Sequence, residues 1–132
     1  MNYYMKTTIM MLLTLLLSTL GAAAQNSILI GNAEMEYFSL GQTVSVPVTM
    51  DNADDIVAVE LTVKLPRGSS LNADGCQLAA ARADGHQISA VCIDADNNLY
   101  KVTAFSASNN PFKGSSGGLM TLDVITSQEW LD

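Results

Sequence analysis

The stretch from Thr43 to Leu65, TVSVPVTMDNADDIVAVELTVKL, decides the fold. Its first part places Val44, Val46, Val48 and Met50 on one side and Thr43, Ser45, Pro47 and Thr49 on the other. Its last part does the same, with Val57, Val59, Leu61, Val63 and Leu65 set against Glu60, Thr62 and Lys64. A period of two is the spacing of a strand with one face in a core and one in water. Between the runs lies DNADD, residues 51–55, whose Asp51, Asp54 and Asp55 suit a solvated turn. Pro47 has no N–H to give to a ladder, so its strand is expected at a sheet edge or beside a bulge.

Weaker strand patterns flank this stretch at 27–31, 34–38, 76–80, 86–93, 98–106 and 118–126. They are separated by turn chemistry in SLGQ, LPRGSSLNADG, ARADGH, DADNN and NNPFKGSSGG. The Ala-rich LAAARA at 78–83 could form a short helix, though six residues are too few to stand alone. No other segment beyond residue 24 has a helical period with caps. Short strands at regular spacing predict an all-β chain, an antiparallel β-sandwich.

The first 24 residues read as an export signal. Lys6 is their only charge, TTIMMLLTLLLSTL at 7–20 is uncharged, and Ala22 and Ala24 suit cleavage before Gln25. Fourteen residues of helix reach about 21 Å, short of the roughly 30 Å hydrocarbon core of a bilayer. The expected destination is the periplasm, the cell surface or the medium, with no membrane insertion after cleavage. Cleavage removes Lys6 from a chain of six basic and thirteen acidic residues, taking the net charge from −7 to about −8. That balance argues against nucleic acid and anionic membrane surfaces, which need basic patches. Residues 27–132 then form one domain. The ending ITSQEWLD, with Trp130 and Leu131 soon after a strand, is that expected of a sandwich missing its last strands.

Several motifs invite chemistry and fall short of it. Lys113 in NNPFKGSSGG precedes its Gly, and an alternating strand follows where a phosphate loop needs a helix. The loop therefore reads as a strand-to-strand link. Asp94, Asp96 and Asn98 open with calcium-loop spacing, but Leu99 replaces the required Gly and Phe105 the closing Glu. A hairpin turn is expected there instead. His86 is the sole histidine and has no nucleophile motif beside it, so a structural role is expected. Glu34, Glu36 and Glu60 supply no evident acid/base pair. No catalytic residue, metal ligand or cofactor site is assigned, and the chain is not expected to be an enzyme.

Cys76 and Cys92 permit a disulfide in an exported chain. A hairpin of 76–80 with 86–93 would set Cys76 opposite Ala90, so a bridge needs a register shift; two buried thiols are the alternative. Tyr100 shares a strand face with Val102 and Ala104, which points it to the core. Phe112 and Trp130 remain as rings that could meet a sugar.

The order of segments resembles the cohesin-like domains of exported Bacteroidota proteins, within the superfamily of cohesins and some carbohydrate-binding modules. The matching pieces are VPV at 46–48 with Asp51 and Asn52, Leu65-Pro66 with Gly68, Arg82 with His86, and Tyr100 to Leu119. The resemblance covers roughly residues 27–126 and implies a jelly-roll-like sandwich with a non-catalytic scaffolding role. Its implied partner is a protein, dockerin-like in the family; the alternative is a polysaccharide. Family domains continue for two further strands, so an exposed edge is expected here.

Overall fold

The computed structural model describes residues 7–8, 25–35 and 41–127. The expected export signal therefore lies outside the described residues apart from Thr7–Thr8, as do Glu36, Tyr37, Phe38 and Trp130. Among the described residues the regular structure is ten strands and one 3-10 turn: β1 Thr7–Thr8, β2 Ser27–Ile30, β3 Glu34–Met35, β4 Thr43–Asp51, β5 Val59–Lys64, β6 Ser69–Leu71, η1 Ala73–Gly75, β7 Gln77–Leu78, β8 His86–Asp94, β9 Leu99–Ser106 and β10 Gly118–Thr126. The protein is all-β, and every strand pairing is antiparallel. Among the described residues no helix is long and apolar enough to cross a membrane.

One sheet runs β2-β4-β10-β6, with β7 also on β10; a second runs β5-β9-β8; β1 and β3 form a separate pair. Alternation in the sequence becomes alternation in burial. β4 buries Val44, Val46, Val48 and Met50, and β5 buries Val59, Leu61 and Val63. These side chains join Val102 and Ala104 of β9 and Leu122 and Val124 of β10 in one apolar core fed by both larger sheets. Fully burying each such side chain is worth about 1.5–3 kcal/mol, so this core is the main source of stability.

Pro47 does not lie on an edge strand. β4 is interior, flanked by β2 and β10. The β2 ladder stops at the Ile30–Val48 pair, and Gly31 N–H then donates to the Pro47 carbonyl at 2.7 Å. In a strand the nitrogen and carbonyl of one residue point the same way, so the Pro47 nitrogen faces the spot where β2 has ended. The nearby bulge is in the partner: Gly118 and Met120 of β10 face the adjacent Thr49 and Val48, and both Leu119 and Met120 turn inward.

The expected 76–80/86–93 hairpin does not form. β7 pairs with Met120 and Thr121 of β10, and β8 pairs with β9. β6 and β7 lie along the same edge of β10, separated by η1, where Asn72 N–H and Nδ2 reach the Asp123 carbonyl and carboxylate. Ser69–Leu71, read as turn from its Gly and Ser content, is strand because β10 offers it a partner. Residues 79–83 make a single turn closed by Arg82 and Ala83 N–H on the Ala79 carbonyl, not a helix.

Candidate functional site

The segment 107–117 links β9 in one sheet to β10 in the other, as a strand-to-strand connection should. Asn109, Gly114 and Gly117 take positive φ there, 56°, 76° and 95°. Ser106 Oγ starts the loop by accepting from Ser108 and Asn110 N–H. The loop is then sewn down along its length: Phe112 N–H to Ile56 O, Lys113 N–H to Arg82 O, Asn52 N–H to Ser115 O and Met50 N–H to Gly117 O. It is a strap over the end of β4.

Beneath the strap sits Arg82, 4% exposed. Its Nη1 donates to the Met50 carbonyl at 2.9 Å and its Nη2 to Asn52 Oδ1; Nε has no partner among the described residues. Asn52, also buried, donates from Nδ2 to Asp54 O at 2.8 Å. DNADD is thus a solvated turn at its aspartates and a buried anchor at Asn52.

Beside this anchor His86 stacks on Phe112, ring centroids 3.8 Å apart and planes 15° from parallel. His86 Nδ1 accepts from Asp84 N–H at 3.0 Å, so the proton is on Nε2, which donates to Val57 O at 3.0 Å. Both ring nitrogens are used structurally. Phe112 is 4% exposed, with a ring face against His86, and so offers no platform to a sugar.

The remaining candidates are scattered. Asp94 to Asn98 forms the β8–β9 hairpin turn, with Asn98 at φ 55°. Hydrogen bonds to its carboxylate from Asn97, first from the side chain and then from the backbone, hold Asp94 below the ordinary carboxylate value. Glu60 pairs with Lys101 at 3.3 Å on the surface. Cys76 and Cys92 are both free, Cys76 buried and Cys92 exposed, so the structure gives neither the bridge nor two buried thiols. Burial pushes the Cys76 thiol up, and the Asp123 charge adds to this against a hydrogen bond from its backbone. Among the described residues no group of three or more His, Cys, Asp or Glu could hold a metal ion.

The sequence pattern did not single out the outer face of β5-β9-β8. Val91 (50%), Ile93 (49%) and Phe105 (38%) are exposed on it or at its rim, leaving Leu29 as the other large apolar side chain open to water among the described residues. Register sets Val91 opposite Lys101 and Phe105 opposite Gln87, so these four share one face. Glu60 and Thr62 of β5 continue it through their pairs Thr103 and Lys101. The signal was the run Ala90-Val91-Cys92-Ile93, where apolar residues stop alternating. The chain matches no protein-family model, no curated protein and no solved structure.

Proposed function

We propose that this protein is a non-catalytic, exported binding module that takes a protein partner on the outer face of β5-β9-β8. The observation that carries this reading is that three of the four exposed large apolar side chains among the described residues, Val91, Ile93 and Phe105, belong to that one sheet. Apolar and aromatic side chains within a polar surround are the usual composition of a protein-binding patch. The surround here is Gln87, Ser89, Thr103 and the Lys101–Glu60 pair. The shared apolar core and the sheet orders support a jelly-roll-like sandwich, and the segment order a cohesin-like one. In that family the partner is dockerin-like and is gripped through a sheet face.

The test compares the protein with a Val91→Asp/Phe105→Ser variant in affinity capture from the secretome of the producing organism. The expected result is a discrete partner retained by the wild type and lost by the variant, with the two melting alike. Equal capture by both, or retention on insoluble polysaccharide with no protein partner, overturns the reading.

A further inference from the structure

A cleft of about 610 Å³ opens at the end of the molecule between the β5–β6 and β8–β9 turns. Its size falls in the range of roughly 300–1,000 Å³ typical of small-molecule sites. Its walls are fixed. Asn98 Nδ2 reaches the carbonyls of Leu65, Pro66 and Ser69 at 3.3, 2.9 and 2.9 Å, tying one turn to the other. Ser127 closes one side by donating N–H and Oγ to the Gly68 carbonyl at 2.7 and 2.8 Å.

The charge at this cleft runs against that of the chain. Beyond residue 24 there are five basic residues, Lys64, Arg67, Arg82, Lys101 and Lys113. Arg82 is buried on Met50 and Asn52, and Lys101 is paired with Glu60. Of the remaining three, Lys64 and Arg67 both line the cleft, and neither has an ion-pair partner among the described residues. Two open cations at one concavity in so acidic a chain make it the place where an anion is attracted.

The rest of the lining narrows the class. Asp96 also lines the cleft, so Lys64 and Arg67 leave it one net positive charge, which a single carboxylate neutralises and a doubly charged phosphate monoester exceeds. Ser70 supplies a hydroxyl. Asn97 spends its amide N–H on Asp94 and keeps its side-chain oxygen as an acceptor. Leu65 and Ala95 are the apolar lining residues, and Leu65 is buried, so an acidic peptide would find no pocket for an apolar anchor. We infer that this cleft binds a sugar acid, its carboxylate held by Lys64 and Arg67 and its hydroxyls by Ser70, Asn97 and Asp96. This site adjoins the β5-β9-β8 outer face at Lys64, which shares the exposed side of β5 with Glu60 and Thr62, and it needs no aromatic platform.

Titration of the purified protein with glucuronate and with a glucuronate-containing oligosaccharide, read by backbone amide NMR, tests this. Saturable shifts are expected at Gly68, Ser70 and Asn97, with none from glucose at equal concentration. Lys64→Gln and Arg67→Gln should each weaken binding about tenfold, the worth of one charge-assisted hydrogen bond, without altering spectra elsewhere. Binding of the oligosaccharide alone assigns the site to a polymer, and binding of both probes to a free acid as well; either supports the proposal. Equal shifts with glucose, tighter binding of a capped acidic peptide than of either uronate, affinity unchanged in both variants, or no saturable shift overturns it.

Discussion

Arg82 Nη2 donates to Asn52 Oδ1 across 30 residues of chain, in the buried space under the 107–117 strap. The guanidinium has no carboxylate partner among the described residues, so its stability there depends on two neutral acceptors, Asn52 Oδ1 and the Met50 carbonyl. Asn52→Ala should therefore cost about 1.5–3 kcal/mol, the range for a hydrogen bond to a charged group. Arg82→Met removes the charge but orphans both acceptors. The double variant should lose less than the sum, with a coupling of about 1–3 kcal/mol in urea denaturation. Strict additivity would mean that the two side chains do not depend on each other.

Phe112 is a core ring rather than a ligand contact. Phe112→Ala should lower stability by about 3–5 kcal/mol through lost burial and a cavity against His86. Phe112→Leu keeps most of the volume and should cost much less. A thermal melt orders the three proteins. A Phe112→Ala variant melting with the wild type would show that the ring is not packed as described.

The two thiols should behave differently. Cys92, exposed on β8, should react with a thiol reagent at once, and Cys76 only when the protein opens. Cys92→Ser should abolish the fast phase alone. Burial also raises the Cys76 pKa above its ordinary value of 9.0. The neutral thiol is the form that the fold favours, so the associated stability is complete below 9.0 and is lost as the pH rises through the folded value. Stability of the wild type should thus fall more steeply above pH 9 than that of Cys76→Ala; parallel pH curves would remove Cys76 from the account.

The strands legible in the sequence were those whose own side chains carry the signal. β4 and β5 each alternate strictly, and their buried sets match the pattern at Val44, Val46, Val48, Met50, Val59, Leu61 and Val63, while Val57, expected on the same face, lies ahead of β5 and is half-buried. What the sequence hid is pairing between distant segments. Gln77–Leu78 looks like the first arm of a hairpin with β8, yet its partner is Met120–Thr121, about forty residues on. Ser69–Leu71 has turn composition and becomes strand because Val124–Thr126 presents an open ladder. In the same way Arg82 and Asn52 could be singled out separately, but nothing local joins them. The Lys64–Arg67 cleft was out of reach for the same reason, since four of its eleven lining residues come from the β8–β9 turn.

Gly31 and Pro47 yield a last prediction from a close approach. A Cβ on Gly31 would sit 2.8 Å from Pro47 Cγ and 3.2 Å from the Pro47 carbonyl oxygen. The contact cannot relax easily, because Gly31 N–H is bonded to that same carbonyl and β2 is held in register by Ile30 on Val48. Gly31→Ala should destabilise the protein by about 1–3 kcal/mol, as overpacking does elsewhere. Pro47→Ala removes the ring carbon and adds an N–H on the side of Gly31, the residue that already donates to the Pro47 carbonyl; it should be close to neutral. Pro47→Ala should then recover part, not all, of the cost of Gly31→Ala, because the carbonyl contact remains. Chemical denaturation of the four proteins measures this, and a Gly31→Ala penalty of the same size in both backgrounds would place the strain somewhere other than on the proline ring.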